Sequence, residues 1–213
     1  EFQIGGFLLM PTVGTIKNVP GKLETPDEGY RSRFDKKDEY AAPGYYTVLL
    51  KDYQIKVELT ATDRVGFQRY TFPQSDSSHV IMDIGNKLGE SGSVRDAYIK
   101  QVDGQTIEGY VVTEPEYVKN FYAKLSQSPN SVNVLYRGKD VMDSTEIKGA
   151  GAMMVLNYKT SKDQVVDVKI GLSYTSIDNA KLNLEKEAAD LTFDEAKDLA
   201  KKRWNDALNR IVV

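Results

Sequence analysis

Two dense acidic spots in predicted loops, Asp38-Glu39 and Glu114-Pro115-Glu116, have the residue types that hydrolytic chemistry would use. Hydrolysis by paired carboxyl groups needs one group that holds a proton, its pKa raised by its surroundings, and a second that stays ionised to activate water or attack. The chain carries many carboxylates, and nothing in their order pairs them. Solvated loop charges are therefore the leading reading of both spots, since Asp and Glu are mostly exposed.

The single histidine, His79, opens a short apolar run ending at Ile84. It has no second histidine with which to share a metal, and no serine sits in a Gly-x-Ser-x-Gly elbow, so a capping or surface role is expected. Gly149 and Gly151 lack the Lys-Ser/Thr that completes a phosphate loop and read as strand-edge or bulge glycines. Thirteen tyrosines could stack on the apolar C–H faces of sugar rings. Aromatics are also favoured strand residues, so core and sheet-face roles come first.

The elements that would position these groups are read from periodicity. Val166, Val168, Ile170, Leu172 and Tyr174 alternate with Asp167, Lys169, Gly171, Ser173 and Thr175, which predicts a strand with one apolar and one polar face, the outer layer of a sandwich. Tyr46, Val48 and Leu50 followed by Ile55, Val57 and Leu59 predict two strands joined by a tight turn. Tyr98 to Thr113 predicts a second hairpin, with Asp103-Gly104 as a positive-φ turn. Shorter strands are expected at Phe7-Met10, Phe67-Phe72, His79-Ile84, Phe121-Leu125, Val132-Tyr136 and Ala152-Tyr158. Gly21 to Tyr30 reads as a surface loop. No helical crossover interrupts this run, which favours an antiparallel sandwich over a βαβ layout.

Helical spacing begins after Ser176, a candidate N-cap, with Ile177, Ala180, Leu184 and Ala188 on one face. Thr192 and Glu195 have capping-box spacing. Phe193, Ala196, Ala200, Trp204, Ala207, Leu208 and Ile211 then form a stripe that must lie against something. The expected organisation is a β-sandwich over residues 1–175, incomplete at its start, and linker helices over 176–213 leading toward a further, absent domain.

With 213 residues, 40% of them hydrophobic, the chain is long enough to bury a core as one domain. Its 28 basic and 31 acidic residues leave a net charge of -3 and no broad cationic surface, so nucleic acid and anionic membrane are not expected partners. The absence of cysteine removes disulfides, thiolate nucleophiles and cysteine-bound zinc, and leaves the compartment open. The run Phe7-Leu8-Leu9-Met10 falls far short of the roughly 20 apolar residues of a membrane span, and no charged n-region precedes it.

Several strings resemble the N-terminal domain of glycoside hydrolase family 92, a family of α-mannosidases. They are Leu8-Leu9-Met10-Pro11-Thr12-Val13-Gly14; Ser32-Arg33-Phe34 with Glu39 and Pro43-Gly44-Tyr45-Tyr46-Thr47-Val48; and Glu58-Leu59-Thr60-Ala61-Thr62, leading into the segment from Val65 to Pro73. Gly109-Tyr110-Val111, the run from Val168 to Tyr174, Asn179-Ala180, Leu184-Glu185 and Trp204-Asn205-Asp206-Ala207-Leu208 follow in the same order. Each string is weak alone, but together they cover most of the chain. Two departures stand out: Asp35-Lys36 replaces the Ser-His that tends to follow Ser32-Arg33-Phe34, and Gln68 replaces a histidine before Arg69-Tyr70.

The resemblance implies a supersandwich-like β-domain followed by helices entering a large helical domain that holds the catalytic acid, the catalytic base and a Ca²⁺ ion. No catalytic residue and no metal ligand is then expected in this chain. The implied whole is an exo-acting, calcium-dependent, inverting α-mannosidase, periplasmic or secreted to the cell surface, acting on α-mannosides or mannose-containing glycans. Arg33 and Glu39 are the candidate sugar contacts, with a local salt bridge as the competing reading. Trp204, Leu208 and Ile211 are the candidate interface with the helical domain. A free-standing carbohydrate-binding or purely structural sandwich is the alternative.

Overall fold

A computed structural model describes residues 8–87, 92–114 and 117–210. Its strands are β1 (Leu8–Val13), β2 (Glu39–Ala42), β3 (Tyr45–Leu50), β4 (Ile55–Ala61), β5 (Val65–Phe72), β6 (Ser75–Asp83) and β7 (Val94–Asp103). They continue with β8 (Thr106–Thr113), β9 (Tyr117–Leu125), β10 (Ser131–Tyr136), β11 (Lys139–Asp140), β12 (Glu146–Lys148), β13 (Ala152–Thr160) and β14 (Gln164–Ser173). Two helices close the chain, α1 (Ile177–Ala188) and α2 (Phe193–Leu208).

The strands form two sheets. A five-stranded sheet has the order β1-β6-β13-β10-β11, and a nine-stranded sheet has the order β12-β7-β8-β9-β14-β5-β4-β3-β2. All pairings are antiparallel. The alternation read from the sequence fixes the register. Val48 faces Val57 and Leu50 faces Ile55 across β3 and β4, so one slip would send the whole apolar set to the wrong face.

Between the sheets lies the main core, which includes Ile55, Tyr70, Phe72, Val80, Met82, Phe121, Met154 and Val166. Each such side chain, fully withdrawn from water, stabilises the fold by about 1.5–3 kcal/mol. A second cluster joins Val65, Phe67 and Tyr122 of the larger sheet to Ala180, Leu184, Ala188, Phe193 and Ala196 of the helices. A third packs Tyr30 onto Ile81, Leu135, Met153 and Val155 of the smaller sheet. The molecule is thus a sandwich with a helical layer on the outside of its larger sheet.

Both hairpins and every shorter strand expected from the sequence are present, with Phe7 outside the described residues. Several details differ. The second hairpin turns without positive φ at Gly104. Its turn is closed by Asp103, whose carboxylate accepts from the Gln105 amide at 2.8 Å and the Thr106 hydroxyl at 2.7 Å, the local bonding by which Asp shapes turns. A break in register between Gln101 and Asp103 supplies the remaining twist.

The polar face of β14 is not an outer surface, because the helices cover it. A Cβ on Gly171 would lie 2.2 Å from the Ala180 carbonyl oxygen, so glycine is what lets α1 lie so close. Lys169 reaches the end of α1 and donates to the Ala188 carbonyl at 2.9 Å and that of Ala189 at 3.2 Å, where a cation suits the exposed carbonyls of a helix C-terminus. Leu172 and Tyr174, expected on the apolar face, are exposed. Finally, the Gly21–Tyr30 loop is anchored: Tyr30 is buried and its hydroxyl donates to the buried Asp83 carboxylate at 2.5 Å.

Candidate functional site

The helices carry a long apolar stripe, and the sequence caps the start of each. Ser176 accepts from the Asn179 amide at 3.0 Å and caps α1. Thr192 and Glu195 form the expected reciprocal capping box on α2. Two ion-pair systems then fix the helices to the larger sheet. Glu187 on α1 accepts from Arg64 Nε at 2.5 Å, from the Arg64 amide at 3.0 Å and from the Thr62 hydroxyl at 2.7 Å. Arg69 on β5 donates to both carboxylate oxygens of Asp167 at 2.8 and 2.9 Å, and to Asp194 on α2 at 2.9 Å. Its guanidinium also stacks 4.5 Å from the centroid of the Phe193 ring.

These contacts have electrostatic consequences. Burial alone would raise the Glu187 pKa, but the bonds from Thr62 and Arg64 more than offset it and hold the carboxyl below its ordinary range. Asp194 is held low by the Arg69 hydrogen bond first and by Lys197 next.

Past Ala200 the stripe leaves the body of the domain. Phe193, Ala196 and Ala200 are buried, whereas Trp204 is 50% and Leu208 58% exposed, and Ile211 lies outside the described residues. Gly44, at φ +82°, sits directly under this transition: a Cβ there would come within 2.9 Å of Ala200 and 3.1 Å of the Trp204 ring. An open groove of about 790 Å³ runs between this part of α2 and the ends of β2, β3 and β4. Arg203 and Asp63 bridge it at 3.0 Å.

Arg33 and Glu39 do not converge. Arg33 donates to both oxygens of Asp27 at 2.9 Å and to Asp52 at 3.0 Å, so its guanidinium fork is held by a local pair of carboxylates. Glu39 accepts from the Tyr46 hydroxyl at 2.7 Å. Burial, then this bond, pushes the Tyr46 pKa up to about 12. Of the acidic spots, Glu114 lies 3.6 Å from Arg95, and Pro115 and Glu116 lie outside the described residues.

His79 is neither a cap nor a surface group. It is buried on β6, where Nδ1 meets Asn157 Oδ1 at 2.8 Å and Nε2 meets the Gly14 carbonyl at 2.9 Å. Gly149 and Gly151 flank β12 and β13 at positive φ, as strand-edge glycines would. Among the described residues, no three histidine or acidic side chains are grouped where a metal ion could bind. No helix among them is long and apolar enough to cross a membrane. Sequence reading missed Arg69 as an organiser, although Gln68-Arg69-Tyr70 had been singled out. Its opposite position to Asp167 in the sheet was the signal, and that position depends on knowing that β5 and β14 are neighbours.

The fold is a two-sheet antiparallel sandwich with a capped, ion-paired helical layer whose second helix ends in exposed apolar side chains. The chain belongs to glycosyl hydrolase family 92: residues 1–173 match the model of the family's N-terminal domain. It is similar to the family GH92 α-mannosidase BT3965 from Bacteroides thetaiotaomicron, with 32% identity and a TM-score of 0.92 over 97% of this chain and 29% of that one. The same α-mannosidase in complex with mannoimidazole matches at 32% identity and a TM-score of 0.91, over 97% and 28% of the two chains. The inverting mannosidase BT2199 from Bacteroides thetaiotaomicron shares the fold at 18% identity, with a TM-score of 0.79 over 96% and 26%. This chain therefore spans less than a third of the length of these relatives. No curated protein matches it.

Proposed function

We propose that this chain is the non-catalytic N-terminal sandwich domain of an exo-acting, calcium-dependent, inverting α-mannosidase, and that it shapes the sugar pocket where it meets a helical catalytic domain. The observation that carries this reading is the bare end of α2. A stripe that is buried through Ala200 continues at the same spacing through the exposed Trp204 and Leu208, and an apolar face of that kind suits a partner surface. Family membership and the mannoimidazole complex of the α-mannosidase relative support the substrate class. The acid, the base and Ca²⁺ are assigned to the helical domain. Inversion there calls for two carboxyl groups about 6.5–9.5 Å apart, with water between them.

On this reading the whole protein works outside the cytoplasm, in the periplasm or at the cell surface, on α-mannosides or mannose-containing glycans. Arg33 and Glu39 are retained as candidate sugar contacts, which requires Arg33 to give up one of its carboxylate partners to a hydroxyl. The test uses the protein together with its helical domain. Mannose release from an α-mannoside is expected, is expected to stop on chelation of calcium, and is expected to be absent from the 213-residue chain alone. Leu208→Asp, at a more exposed position near the end of α2, is expected to lower activity of the longer protein with little change in the unfolding midpoint of this domain. Mannose release by the 213-residue chain would overturn the non-catalytic assignment.

A further inference from the structure

A second groove, of about 840 Å³, lies between the N-terminal end of β5, the C-terminal end of β14 and α1, and meets the first at Asp63. That volume falls in the range of small-molecule sites, roughly 300–1,000 Å³. We propose that it is an accessory binding site for a saccharide, distinct from the groove beside Trp204. The sugar class rests on the reading above, whereas the groove rests on its own geometry.

The floor gives the first argument. Gly66 lies within β5, paired with Ile170, and both residues line the groove. Its φ is not in the left-handed region, and a Cβ added to it would meet nothing within 4 Å. Neither backbone conformation nor packing therefore calls for glycine there. The bare backbone at Gly66 leaves the floor of the groove open to close approach by a ligand.

The walls give the second. Asn120, Asn179 and Asn183 all line the groove. Each is tied by one donated bond to the segment that ends β14 and leads into α1: Asn120 to the Ser173 carbonyl at 3.2 Å, Asn179 to the Thr175 hydroxyl at 2.7 Å and Asn183 to the Leu172 carbonyl at 2.7 Å. One such bond fixes the plane of an amide and leaves it both a donor and acceptor capacity. Sugar hydroxyls donate and accept at once, so preset amides match them. Four charged residues line the groove: Arg64 pairs with Glu187, Asp63 with Arg203, and Lys119 donates to the Thr113 hydroxyl at 3.0 Å, while Lys186 adds an ammonium that can donate to a sugar hydroxyl.

The rim gives the third. Of the exposed tyrosines Tyr40, Tyr117 and Tyr174, it is Tyr174, 65% exposed, that belongs to this groove, beside the exposed Leu172 and Leu182. The electron-rich face of a tyrosine ring attracts the polarised C–H bonds of a pyranose. A bare floor, preset amides and an aromatic rim are what a saccharide site needs.

The test is a titration of the 213-residue chain with methyl α-mannoside, mannobiose and maltose, followed by amide NMR shifts. Saturable shifts confined to the start of β5, the end of β14 and α1 are expected. Tyr174→Ala, at an exposed position, is expected to weaken binding roughly tenfold, and Gly66→Leu to abolish it. No saturable shift with any of the three sugars at tens of millimolar, or binding unaltered in both variants, would overturn the proposal. Binding of maltose but not of the mannosides would support the groove and count against the mannoside reading. Mannose release by the longer protein with no binding by this chain would remove the groove alone.

Discussion

Arg69 is the residue on which the helical layer turns. It joins β5, β14 and α2 through three charge-assisted hydrogen bonds and a ring contact, and it is only 21% exposed. Hydrogen bonds to charged groups contribute about 1.5–3 kcal/mol each when a partner is removed, though shared solvent access here lowers the sum. Arg69→Ala is expected to destabilise the domain by ~2 kcal/mol, read as a lower urea midpoint. Arg69→Lys should recover less than half of that, because an ammonium cannot reproduce the planar fork; full recovery by lysine would show that charge alone matters. Residue roles of this kind were poorly legible in the sequence. His79 looked like a surface group because its partners, Gly14 and Asn157, lie 65 and 78 residues away. Arg33 and Glu39 were singled out by resemblance, and nothing local disclosed that Asp27, Asp52 and Tyr46 would occupy them.

Elements were far more legible, since their signals are local. Alternation and turn residues located the long strands, and the capping box located the start of α2 to the residue. What the sequence hid were β2, β11 and β12, which are too short to show a period, and the burial of the polar face of β14, which only the docked helices create. The docking of α1 is pH-dependent. Glu187 has a depressed folded pKa, so its contribution is present above the unfolded value and is lost as pH falls through the folded one. Asp194 acts on α2 in the same direction. The urea midpoint is therefore expected to fall between pH 6 and pH values below about 4, and Glu187→Gln should shrink that drop. Trp204, the chain's single tryptophan, reports on α2 by fluorescence in the same experiment. An equal drop in the glutamine variant would assign the acid step to other groups.

At the scale of the molecule, two sheets were expected but their strand order was not, because order depends on pairings remote in sequence. β13 lies between β6 and β10 in one sheet, and β14 lies between β5 and β9 in the other. Two strands in sequence, linked by residues 161–163, thus complete both sheets at once. A chain ending at Gly151 would leave open edges on four strands, and open edges pair promiscuously. It is expected to be insoluble or unfolded by circular dichroism, whereas a chain ending at Tyr174 should keep its strands. A soluble, cooperatively folding product of the shorter truncation would contradict this account.

That arrangement also sets a schedule for synthesis. Roughly a hundred residues separate the end of β5 from the end of β14, about 5–20 s of elongation at ordinary ribosomal rates. For most of that interval the emerging chain carries a growing set of strands and neither completed sheet, so its survival depends on staying shielded until the final arch arrives.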